Sequence, residues 1–96
     1  MATVHTLLEK IGLTKDEVNT IININPSVKK TEPETIFNNL IVVSDAGFPD
    51  DELNWLCLNN PAFLSYETKF LKNKIIAIKA KNPDFELAIK NKPEIL

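Results

Sequence analysis

His5 and Cys57 are the chain's one histidine and its one thiol. A cysteine or hydroxyl nucleophile needs an adjacent base, and an imidazole metal site needs further ligands; neither set is supplied. Asp50-Asp51-Glu52 gathers three carboxylates, a pattern that could hold a divalent cation or pass protons. The same residues in the first turn of a helix would complement its exposed amides and its dipole, and that structural role suffices to explain them. With only two glycines, the chain has neither a phosphate-cradling loop nor a nucleophile elbow. The expectation is a noncatalytic protein with no metal, no cofactor and no small-molecule substrate.

The other chemistry within reach is neutralisation of phosphate. Lys69, Lys72, Lys74, Lys79 and Lys81 follow one another with no acid between residues 68 and 83. On a helix turning about 100° per residue, Lys69, Lys72 and Lys79 share an arc of about 80°, while Lys74 and Lys81 lie on another side. The first three are therefore the candidate nucleic-acid contacts, against the plainer reading of a solvated helix face. All eleven basic residues are lysine, and the net charge is -2. Arginine, the side chain suited to bidentate contacts with phosphate and guanine, is missing, which weighs towards a protein partner. The lysines, together with eleven Asn and eleven Ile, reflect an AT-rich coding source.

What positions these residues must be one domain, 1–96, since a chain of 96 residues can bury roughly two-thirds of its unfolded surface in a single core. One cysteine excludes an intramolecular disulfide and fits a reducing compartment. No apolar run reaches the roughly 18 to 20 residues of a membrane span. Residues 1–10 lack the basic start and apolar stretch of a signal peptide, and the expected location is the cytoplasm.

The chain repeats itself. Gly12-Leu13-Thr14-Lys15-Asp16-Glu17-Val18, followed by Ile21-Ile22 and Asn25-Pro26, recurs 35 residues on as Gly47-Phe48-Pro49-Asp50-Asp51-Glu52-Leu53, Leu56-Cys57 and Asn60-Pro61. A third copy, 32 residues further, carries Asp84-Phe85, Ala88-Ile89 and Lys92-Pro93, and Ile95-Leu96 matches Phe63-Leu64. Each proline ends the helix before it, because it disfavours helical geometry in the preceding residue and donates no backbone bond. Thr14 with Glu17, and Thr31 with Glu34, have the spacing of a capping box. Gly12 and Gly47 stand where a left-handed residue would close a helix, and Pro49 and Pro83 fall at or near first-turn positions. The predicted helices cover about 3–11, 15–25, 32–46, 50–59, 66–81 and 83–91.

Apolar spacing then predicts the core. Val18-Ile21-Ile22, Leu53-Leu56-Cys57 and Phe85-Ala88-Ile89 each follow i, i+3, i+4, which makes Cys57 an inert core residue. Ile36, Phe37, Leu40, Ile41 and Val43 form one broad arc, with Val42 outside it, and Phe70, Leu71, Ile75 and Ile78 form another. Arcs this broad suit long helices sandwiched between repeats.

This unit, a short helix, a proline-containing turn and a long helix, resembles the repeat of the mitochondrial transcription termination factor (mTERF) family. The resemblance rests on Gly-Phe-Pro-Asp-Asp-Glu-Leu at 47–53 and Asn-Asn-Pro-Ala-Phe-Leu at 59–64, echoed at 12–28 and 83–96. It implies an all-α fold of about two and a half units stacked into a small superhelical array, and a nucleic-acid ligand on a concave basic face.

Trp55 and Leu58 project away from the core face of their helix, at positions held by Thr20 and Asn23 in the first copy, and Leu87 takes the place of Trp55 in the third. They are candidates for packing against a neighbouring long helix or for a partner interface. The sequence given stops at Ile95-Leu96 before a long helix could cover the third short one, and an exposed end of this kind implies dimerisation through it. The interface candidates are thus Trp55, Leu58, Leu87, Ile95 and Leu96, in a module binding either nucleic acid or protein.

Overall fold

In the computed structural model, which describes residues 4–96, six α-helices succeed one another: α1 (Val4–Lys10), α2 (Lys15–Ile24), α3 (Pro33–Asp45), α4 (Leu53–Asn59), α5 (Thr68–Lys81) and α6 (Phe85–Asn91). Among the described residues there is no strand. The expected start of the first helix at residue 3, and the first three residues of the segment read as lacking a signal peptide, lie outside the described residues.

The glycines close helices as their spacing requires. Gly12 has φ 101° and Gly47 φ 116°, values that L side chains rarely adopt. At each, two reversed hydrogen bonds seal the helix end: Gly12 N–H to Glu9 and Leu13 N–H to Leu8 after α1, Gly47 N–H to Ser44 and Phe48 N–H to Val43 after α3. Leu8, Leu13, Val43 and Phe48 are all buried, which supplies the apolar contact that accompanies this closure.

Short helices α2, α4 and α6 each run into a one-turn 3-10 segment begun by proline: Pro26–Lys30, Pro61–Ser65 and Pro93–Ile95. Asn25, Asn60 and Lys92, the residues before those prolines, cap the three helices. The long helices α3 and α5 follow the first two turns and pack on one another. Val18, Ile21 and Ile22 of α2, Leu53, Leu56 and Cys57 of α4, and Phe85 and Ile89 of α6 enter one continuous core with Ile36, Leu40 and Val43 of α3 and Leu71, Ile75 and Ile78 of α5. The fold is all-α, built from the predicted repeats.

Several local expectations need correction. Thr14 and Glu17 do form the reciprocal capping box, but Thr31 and Glu34 do not. Pro33, with its pre-set φ, takes the first helical position of α3 and shifts the start past Thr31, whose hydroxyl instead donates to the Ser27 carbonyl at 2.8 Å. Pro49 and Pro83 precede their helices: Pro49 caps a 3-10 turn at Asp50–Glu52, and Pro83 precedes the cap Asp84, whose carboxylate accepts from the Leu87 amide.

The long-helix arcs are narrower than their apolar pattern implies. Phe37, Ile41 and Phe70 are exposed, Val42 packs against the core, and the buried face of α3 includes Asn39. A broad apolar arc is buried only where a neighbour covers it, and the outer faces of α3 and α5 have none.

Candidate nucleic-acid interface

Helix α5 positions every candidate phosphate contact. It begins after Glu67, whose extended backbone caps it, and ends at Asn82, just before Pro83. Leu71, Ile75 and Ile78 anchor its inner side in the core. Lys69, Lys72 and Lys79 are all exposed, on a face that flanks that anchor. The ion pairs among the described residues are Lys90 with Glu52 and with Glu86, both at 2.7 Å, so none of the three lysines is engaged by a carboxylate. The hydrogen bonds it donates to the carboxylates of Glu52, then Glu86, hold the Lys90 ammonium above its usual pKa.

The three lysines do not have identical surroundings. Lys79 borders an open cleft of about 520 Å³ between the end of α3 and the start of α6, whose lining also includes Asp84 and Glu86. Lys74, assigned to another side of the helix, does diverge: its ammonium sits 5.2 Å from the Tyr66 ring centroid and 5.8 Å from that of Phe70. Tyr66 and Phe70 meet edge to face at 5.2 Å, and the Tyr66 hydroxyl donates to the Leu96 carbonyl at 2.9 Å. Lys74 is thereby occupied in joining α5 to the end of the third repeat.

The basic face is one helix wide. Counting 35 residues back, Lys69, Lys72 and Lys79 of α5 correspond to Glu34, Phe37 and Ser44 of α3. The outer face of the array is therefore basic on α5 and acidic and apolar on α3.

The interface candidates divide. Trp55 stays partly exposed, its ring stacked on Phe48 at 6.4 Å and 18° between planes, and Leu87 is 55% exposed. Leu58 and Ile95 pack partly against the core, and Leu96 is fully buried. Leu58 thus takes the packing alternative, while the expectation that Ile95 and Leu96 offer an exposed surface is corrected, because the third proline turn folds inward as the second does. Leu96 takes the core position that Leu64 holds 32 residues earlier. Ile95 is less covered than its counterpart Phe63, since no long helix lies over the third turn among the described residues.

Sequence spacing missed the polar contacts that set the array. Asn39, fully buried, donates to the carbonyls of Phe63 at 2.9 Å, Leu64 at 3.3 Å and Tyr66 at 2.8 Å, and its own carbonyl accepts from Thr68 at 2.8 Å. One side chain thus satisfies the turn of the following repeat and the start of α5. A polar residue in the middle of the Ile36-Leu40-Val43 face was the available signal.

Cys57 is buried, and burial pushes its thiol up to about 12, so it stays protonated and unreactive near neutrality. Asp50 accepts from the Ser44 hydroxyl, an arrangement that ties α3 to the turn before α4. No group of three or more His, Cys, Asp or Glu among the described residues could hold a metal ion, and no helix there is long and apolar enough to cross a membrane.

The family model for mTERF matches residues 1–95. No curated protein and no solved structure matches the chain.

Proposed function

We propose, on the premise that this chain belongs to the mTERF family, that it is a noncatalytic helical-repeat module that binds nucleic acid through the outer face of α5. At family level it is a repeat of nucleic-acid-binding type. The observation that carries the finer reading is the exposure of Lys69, Lys72 and Lys79 on one face of a helix that has no acidic residue, with none of the three in an ion pair. Unpaired ammonium groups on a rigid helix lose little on meeting phosphates and release the counterions condensed there.

The ligand contact is to the backbone rather than the bases. Lysine supplies a point charge without the planar fork that reads guanine, so affinity should depend weakly on sequence. Titration of labelled duplex and single-stranded DNA and RNA at stepped salt tests this. Three phosphate contacts give a log-log salt slope of roughly -3 on duplex. An absence of binding at high micromolar protein and low salt rejects the reading.

A protein partner is the second reading, and one observation favours it: Trp55 and Leu87, equivalent positions in successive repeats, both remain exposed. Binding that persists as salt rises, and that falls when Trp55→Ala and Leu87→Ala are combined, would place the ligand on that side.

A further inference from the structure

The outer faces of the two long helices differ in charge but match in position. On α3, Glu34, Phe37, Ile41 and Asp45 are exposed; on α5, Lys69, Lys72, Ile76 and Lys79 are exposed. Ile41 and Ile76 are the same position 35 residues apart. Phe37 is 50%, Ile41 40% and Ile76 66% exposed, and Phe37 and Ile41, one turn apart, make a contiguous apolar patch of the kind that marks an interaction surface. Phe37, Leu40 and Ile41 also line a groove of about 260 Å³ with Ile11 and Leu53, and its rim carries Asp45 and Asp50. An apolar floor with an acidic rim lies beside a basic helix that presents an exposed isoleucine.

We infer that this face pairs with a second copy of the chain, α3 of each copy lying on α5 of its partner. Because α3 and α5 hold the same place in successive repeats, they run in the same direction. A two-fold axis parallel to them, lying outside the exposed face and level with the midpoint between them, then sets each α3 over the other copy's α5. That operation closes the assembly with two identical contacts, as an isologous dimer requires. Glu34 meets Lys69, Asp45 meets Lys79, and Phe37 and Ile41 cover Ile76. Both acidic residues find an opposite charge on the partner, and the exposed apolar residues leave water.

The choice of a second copy follows from this self-complementarity: any other occupant would have to reproduce, on one surface, a basic stripe and an acidic apolar stripe at the same spacing. The inference does not rest on nucleic-acid binding. It does mean that dimerisation and a phosphate backbone compete for Lys69, Lys72 and Lys79, so assembly would hold the module in a closed state until a polyanion displaces the partner.

The test uses the full chain and two charge-reversed variants. In Glu34→Lys/Asp45→Lys both long helices are basic; in Lys69→Glu/Lys79→Glu the two α5 positions that meet Glu34 and Asp45 become acidic as well. All four positions are exposed, and melting curves confirm that each variant folds. Light scattering on the unmodified chain should give twice its 10.8 kDa mass at high micromolar concentration. Each variant alone should be monomeric, and an equimolar mixture should form a one-to-one heterodimer. A monomeric unmodified chain, or dimers that survive either reversal alone, overturns the inference. Nucleic-acid binding is read separately, since the first variant keeps every lysine and the second loses two.

Discussion

The side-chain amide of Asn60 donates to the Pro93 carbonyl oxygen at 2.7 Å. The same bond occurs one repeat earlier, from Asn25 to the Pro61 carbonyl at 3.1 Å. Asparagine before proline therefore does two things: its backbone caps the short helix, and its side chain clips that repeat to the next proline turn. Lys92, in the third copy, takes only the first role.

Asn60→Ala should cost about 1 kcal/mol of unfolding free energy, the usual net value of a part-buried hydrogen bond, and Asn25→Ala a similar amount. The Asn25 clip ends on Pro61, the residue after Asn60, so the two effects should couple rather than simply add. Urea denaturation of the two single variants and the double variant measures both claims. Effects within error of zero would remove the clip from the account.

Asn39→Ala should be costlier, about 3 kcal/mol, because it strips a donor from three carbonyls and an acceptor from Thr68 inside the core. Asn39→Leu, which restores volume but not hydrogen bonds, should recover little. A leucine variant as stable as the unmodified chain would show that the carbonyls find water instead.

Gly47→Ala tests the helix closure with little steric complication, since a β-carbon there meets nothing within 4 Å. The penalty should be about 1 to 2 kcal/mol, from backbone strain at φ 116° alone. A melting temperature unchanged by the substitution would mean that the loop relaxes to another conformation.

Much of this was legible in the sequence. The 35-residue offset, the two glycines and the Asn-Pro pairs located the helices, and the i, i+3, i+4 triplets named core residues of all three short helices. Phe37, Ile41 and Phe70 were misassigned to the core because periodicity records which residues share a face and not whether a neighbour covers it. Leu96 was misjudged for a related reason: its burial depends on a turn folding back under Tyr66, a contact between residues 30 apart. The partners of Asn39 and Asn60 are backbone carbonyls, which no residue type marks, so the polar Asn39 on an apolar face signals a buried hydrogen bond without saying to what. At the candidate interface, sequence separated Lys69, Lys72 and Lys79 from Lys74, but only the fold shows that the matching face of α3 is acidic.

Cys57 makes a pH-dependent prediction. Its thiol pKa is raised by burial from 9.0 to about 12 in the folded chain. Above pH 9 the unfolded chain ionises while the folded one stays protonated. The contribution is therefore fully present below pH 9 and lost as pH rises from 9 to about 12. In that window the unmodified chain should lose on the order of 1 kcal/mol per pH unit more than Cys57→Ala does. Parallel alkaline stability curves for the two proteins would contradict it. Below that window, alkylation of the native thiol should be slow and should accelerate on unfolding.

The most direct test of nucleic-acid binding through α5 is the salt dependence of duplex affinity for the unmodified chain and for Lys69→Gln/Lys72→Gln/Lys79→Gln. If the three ammonium groups each neutralise a phosphate, the triple variant should bind about tenfold or more weakly at low salt, its slope should flatten by about 1 per lysine, and its melting temperature should not change. An equal affinity and an equal slope for the two proteins would contradict the assignment of α5 as the nucleic-acid face.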